Sequence, residues 1–185
     1  RISHILDQMY TGGYSAVVDL SKFFYNFPTH AEDRPYLGLL HPVSGKLYCY
    51  YGLPMGAGNS PALACRFGLA FVRMLKERFD EFKGQSKANC YWTGFSKTGF
   101  DPTLGYGYVL TGKDGGCVHI WVWVDDFLIH GPTYEKTARA LAFFLDTAVD
   151  CGFLFHPQKL VTPQQVVKYC GFLFGNWDTE AGYGL

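Results

Sequence analysis

The sequence predicts an α+β fold, an antiparallel sheet with helices packed on one face. Three observations carry this. Residues 14–20 (YSAVVDL) form an apolar, β-branched run that ends at an acid, Asp19. Residues 119–129 (HIWVWVDDFLI) read as strand, Asp-Asp turn, strand. Two longer stretches, about 60–82 and 133–151, repeat apolar residues at helical spacing. The order strand, excursion, helix, hairpin, helix, strands suits a layer of helices on an antiparallel sheet.

Taken in order, a short amphipathic segment around 2–9 leads through Gly12 and Gly13 into the first strand. Residues 29–59 are rich in Pro, Gly and Tyr; within them Pro42 to Gly45 reads as a turn and 46–51 as the returning strand, an excursion from the main core. A helix should start at Asn59-Ser60-Pro61, because Asn or Ser can cap the free amides and Pro suits the first turn. Leu63, Phe67, Ala70, Phe71 and Met74 would form its buried face as far as about Phe82. Residues 83–116 dissolve into Gly, Lys, Ser and scattered aromatics and read as an inserted hairpin or loop. The second helix, 133–151, would turn Ala138, Leu141, Leu145 and Ala148 inward and end at Gly152. Strand-like GFLF then occurs at 152–155 and again at 171–174.

With 185 residues, 48% of them hydrophobic, the chain can bury a full core. Its 16 basic and 16 acidic residues cancel, so long-range charge alone would not hold a nucleic acid; a local patch, a metal or a further part of the protein would be needed. The six cysteines form no CxxC pair, which points to a reduced intracellular setting. No apolar run reaches the roughly 18–20 residues of a membrane span, and the abrupt start, RISHILDQMY, reads as a fragment of something longer.

The chemistry concentrates in the acids. An unpaired ionised carboxylate in an apolar run costs several kcal/mol, so Asp19, Asp125 and Asp126 need a turn, a cation or a metal as their reason. Hard oxygen ligands on adjacent strand ends suit Mg²⁺, and two such ions can serve in-line phosphoryl chemistry. Alone, Asp125-Asp126 is equally readable as a polar hairpin turn.

The flanking motifs decide between these readings. VVDLSKFFYNFP (17–28) places an aromatic five residues and a proline nine residues after Asp19. GLPMGAGNSPA (52–62), WVDD (123–126), CGFLFHPQKL (151–160) and VVKYCGFLFG (166–175) follow in order. Together they resemble the five palm motifs of reverse transcriptases of retroviruses and LTR-type retroelements. The longer link at 83–116 is similar to a divergent branch, such as the DIRS-like elements.

The resemblance implies a polymerase palm (1–28 and 60–185) with a partial fingers excursion (29–59), and with thumb, connection and RNase H absent. It implies two Mg²⁺, replaceable by Mn²⁺, held by Asp19, the Leu20 carbonyl, Asp125 and Asp126, and it makes Lys159 a donor of a proton to departing pyrophosphate. Lys22, Phe23, Phe24, Met55 and Gly56 would meet the nucleotide, with Phe24 as the steric gate against a ribose 2′-hydroxyl. Pro54, Gly58, Ser60 and Pro61, with Trp123, Val124, Tyr169, Cys170 and Gly171, would meet template and primer. The implied partners are an RNA or DNA template with its primer, dNTP, and the rest of a polyprotein, with no membrane. The implied setting is cytoplasmic, nuclear or particle-associated.

Met55 stands where relatives have Gln, Trp123 where they have Tyr, and Lys22 where they often have Asp, which puts nucleotide discrimination in question. Two other readings stay open: a domesticated, catalytically silent module that binds nucleic acid or protein, and an RNA-dependent RNA polymerase, against which Phe24 argues.

Overall fold

A computed structural model describes residues 5–84, 91–97 and 106–175. Its strands are β1 (Tyr14–Asp19), β2 (Gly38–Leu40), β3 (Leu47–Cys49), β4 (Trp92–Lys97), β5 (Tyr106–Gly112), β6 (Cys117–Trp123), β7 (Asp126–Gly131), β8 (Val161–Gln164), β9 (Val166–Tyr169) and β10 (Phe172–Gly175). Its helices are α1 (Ser60–Gly84) and α2 (Tyr134–Asp150). Six strands form one sheet in the order β4-β5-β6-β7-β1-β8, and β2–β3 and β9–β10 are separate hairpins. The predicted α+β architecture is the one observed.

Alternation along the central strands builds a core on each face. Ala16 and Val18 of β1, Phe127 and Ile129 of β7, and Val118, Ile120 and Val122 of β6 point to the side covered by both helices. Val17, Leu128 and Trp121 point to the other side, where Val167, Tyr169 and Phe174 of the β9–β10 hairpin cover them. Because Asp19 follows Val17 by two and Asp126 precedes Leu128 by two, both acids share the face away from the helices.

Several local expectations are corrected. The buried stripe of α1 is Ala64, Gly68, Phe71, Val72, Leu75 and Phe79, one position on from the predicted face; Phe67 is exposed except where it stacks on Phe27 at 3.6 Å. Ser60 does not cap α1, since its hydroxyl donates to the Pro54 carbonyl at 2.6 Å. On α2 the seam is Thr137, Ala140, Leu141, Phe144, Thr147 and Ala148, while Ala138 and Leu145 are half-buried. The stretch 152–155 is no strand: Gly152 turns at φ 78°, and only Phe155 bridges, to Leu20. Of the two readings of the insertion, hairpin or loop, the described residues show a hairpin: β4 pairs with β5, and β5 with β6 at the edge of the main sheet. Residues 85–90 and 98–105 of the insertion lie outside the described ones, as do residues 1–4 of the amphipathic start.

One buried histidine ties the residues before β1 to the sheet. The Tyr10 amide donates to His130 Nε2 (2.9 Å), so Nδ1 carries the proton and meets Ser15 Oγ at 2.8 Å. A side chain at Gly13 would meet the His130 ring at 2.6 Å. Burial, helped by nearby His119, pushes the His130 pKa down from 6.5 to about 4. A group with a depressed basic pKa takes up protons on unfolding, so stability will fall as pH drops from about 6.5 to about 4, by about 3 kcal/mol. Urea unfolding at pH 7 and pH 4.5 should show this loss, and His130→Gln should flatten the slope.

Candidate active site at the end of the sheet

The β1–β7 register sets Asp19 directly opposite Asp126. Two carboxylates facing each other across a strand pair repel. The pairing of Trp123 with Asp126 leaves a two-residue hairpin loop, Val124-Asp125. Val124 has φ 59°, a left-handed conformation costly for a β-branched residue and normally filled by glycine at the first position of such a loop. The loop is fastened to β1 by the Leu20 amide, which donates to the Asp125 carbonyl at 3.3 Å. On its other side the chain around Asp19 is held by the His156 amide on the Asp19 carbonyl (3.4 Å) and the Ser21 amide on the Leu154 carbonyl (2.7 Å).

Burial raises the Asp125 pKa, with Asp19 adding to the rise and Lys159 opposing it. Asp126 is pushed up to about 6 by burial first, then by Asp125 and Asp19. Lys159 reaches the cluster from the 156–160 turn, its Nζ 2.5 Å from Asp19 Oδ2, and this contact raises the lysine pKa. Three acids thus share one lysine. Among the described residues, no group of three or more acids, histidines or cysteines stands ready as a metal cage. The acids are neighbours through the strand register and the hairpin turn.

The other predicted residues surround this point unequally. Phe24, in the 3-10 turn Phe23–Asn26, is 9% exposed and lies edge-on to Phe23 with ring centroids 6.4 Å apart. Phe23 is sealed in the core against Phe27 and Phe153, so its ring cannot reach a nucleotide and only its backbone is available. Lys22 is exposed at φ 51°. Met55, Gly56, Gly58 and Pro61 are exposed, whereas Pro54 and Ser60 are buried and bonded to each other. Trp123 is exposed beside the acids. Tyr169 is buried, and its hydroxyl donates to the Asp126 carbonyl at 3.3 Å; Cys170 and Gly171 form the exposed β9–β10 turn.

The family model for reverse transcriptase (RNA-dependent DNA polymerase) matches residues 3–174. The chain belongs to the reverse transcriptase family. Every site residue named above lies inside that span. A 73-residue stretch of this reverse transcriptase chain, 37% of it, is 32% identical to the Gag-Pro-Pol polyprotein of squirrel monkey retrovirus, of which it covers 4%. The native prototype foamy virus protease-reverse transcriptase is similar in fold, with TM-score 0.60 and 21% identity over 93% of this chain and 18% of that one. The foamy viral enzyme in complex with an RNA/DNA hybrid matches at TM-score 0.60 and 20% identity, over 92% of this chain and 17% of that one. The chain therefore spans under a fifth of these solved chains.

Within the reverse transcriptase chain, two links at the site were not anticipated from sequence. One is the hydroxyl of Tyr169 on the hairpin strand, which needed the register of β9 to be seen. The other is the ion pair between Lys159 and Asp19, residues 140 apart in sequence. Among the described residues no helix is long and apolar enough to cross a membrane, and Cys49, Cys65, Cys117, Cys151 and Cys170 are free thiols.

Proposed function

We propose that this chain is the palm, with part of the fingers at 29–59, of an RNA-directed DNA polymerase that joins a primer 3′-hydroxyl to the α-phosphorus of a dNTP and releases pyrophosphate. The observation that carries the reading is Asp19 facing Asp126 with Asp125 in the adjoining turn. Such an arrangement costs repulsion between the acids, which bound cations would offset. The thumb, RNase H and remaining fingers of a polyprotein would complete the enzyme.

The donor set fits Mg²⁺ or Mn²⁺: three carboxylates and the Leu20 carbonyl supply hard oxygens, and Asp126, lifted by burial first and then by Asp125 and Asp19, is an acid whose ionised form a cation would favour. When bound, divalent ions activate the attacking hydroxyl and offset charge on the leaving phosphates. The protein's own part is positional. Phe24 closes the space a ribose 2′-hydroxyl would need, while Lys22, the Phe23 backbone, Met55 and Gly56 flank the nucleotide. Gly58 and Pro61 meet the template, with Pro54 and Ser60 as their buried support. Trp123, Val124, Cys170 and Gly171 steady the primer end, and Tyr169 ties that turn to the hairpin. An RNA/DNA hybrid, as in the foamy viral complex, is the substrate these surfaces suit.

Lys159 has two tasks in this scheme. It pairs with Asp19, and as a cation beside the acids it can give a proton to pyrophosphate. Lys159→Met should slow incorporation about ten- to hundredfold, at or below the lower end for a general acid because the side chain is largely exposed. Single-turnover rates across pH 6–9 would check this, since loss of the alkaline limb identifies the acid. The whole reading is tested by Mg²⁺-dependent dNTP incorporation on a primed RNA template; equal incorporation by the chain and by Asp19→Asn would remove the site. A silent binding module draws support only from the lack, among the described residues, of a ready-made cage, and the same assay separates it.

A further inference from the structure

Glycine is among the poorest helix residues, so one in the middle of a long helix calls for a packing reason. Gly68 lies in the third turn of α1, on its buried face. A Cβ there would stand 2.8 Å from the Val124 carbonyl oxygen and 3.0 Å from Val122 Cγ1. The first of these is backbone and cannot swing aside. Val124 is the left-handed residue of the hairpin loop, and its side chain packs against the helix-side core. Left-handed β-branched residues persist only where their surroundings leave no alternative.

We propose that Gly68 is a positioning residue: by lacking a side chain it lets α1 hold the Val124 turn from beneath, and so fixes where Asp125 and Asp126 stand. The consequence for catalysis rests on the polymerase reading above, whereas the geometry does not. The turn meets β1 through the Leu20 amide on the Asp125 carbonyl, so displacement of the turn by an added methyl should break that bond. Helix propensity acts in the opposite direction, because Gly68→Ala alone would stabilise α1.

The test is hydrogen exchange at the Leu20 amide, read by NMR in the metal-free chain. In Gly68→Ala, protection at Leu20 should fall about tenfold or more while amides in the middle of β6 keep theirs. Leu20 protection equal to wild type, with the higher melting temperature that helix propensity dictates, would overturn the proposal. If Gly68→Ala does not fold, the double variant Gly68→Ala/Val124→Gly gives the turn freedom to move. Folding with lower Leu20 protection than Val124→Gly alone supports the proposal, and failure to fold or equal protection refutes it. Mn²⁺ binding by wild type against Asp126→Asn, measured separately, tests the polymerase reading; lost protection at Leu20 in a chain that binds no Mn²⁺ would leave the positioning role standing.

Discussion

Asp126→Asn will lower nucleotide incorporation by about three orders of magnitude and, without divalent ions, will make the chain more stable at pH 7. The first effect follows from losing a carboxylate that would carry the charge stabilisation of the reaction. The second follows from linkage. The folded-state pKa of Asp126, about 6, lies above the ordinary 3.8, so the ionised group destabilises the fold at neutral pH. As pH falls from about 6 to about 3.8 the wild type regains that stability, and the advantage of Asn disappears. Because Asp126 is partly exposed, screening reduces the gain to about 1 kcal/mol, or about 2–4 °C in a chain of this size. Primer extension together with melts at pH 7.5 and pH 4 would check both. A variant that loses activity and stability together at pH 7.5 would contradict the assignment. In wild type the Asp126 gain offsets part of the His130 loss over the same pH range, so Asp126→Asn should also steepen the acid sensitivity.

Phe24→Val should relax the choice between dNTP and rNTP by about 10–200-fold, the range expected when one side chain stops filling a pocket. The ring is 9% exposed and belongs to the helix-side core, so the substitution will also cost about 2–3 kcal/mol. Phe144→Val, fully buried on α2, provides a control of similar cost that should leave selectivity unchanged. Competing rNTP and dNTP incorporation, with urea melts of each variant, distinguishes them. If both variants relax selectivity alike, general loosening is responsible and Phe24 is no gate.

The fold was legible where a residue's neighbours in sequence determine its setting. The β-branched run before Asp19, the hairpin around Asp125-Asp126 and the periodicity of both helices needed no long-range information. Legibility ended where tertiary contact decides. Ser60 has every attribute of a helix cap, but the buried Pro54 carbonyl takes its proton. The α1 stripe is shifted by one position and runs through Gly68, which approaches the Val124 carbonyl closely and carries no hydrophobic signal. At the site, motif spacing placed Asp19, Asp125 and Asp126 together. It said nothing of Lys159 on Asp19, because an ion pair between remote loops leaves no periodic trace. The insertion was legible only as a hairpin or loop, because a composition rich in Gly, Lys and Ser does not say that β5 pairs with β6 and carries β4 at the sheet edge.

The backbone around Asp19 is gripped from both flanks, by the 154–156 segment and by the hairpin, whereas Asp125 rides on a two-residue tip. The tip is anchored as well, because the Leu20 amide holds the Asp125 carbonyl. In the polymerase proposed above, carboxylates tied down through the main chain would keep their spacing whichever substrate enters.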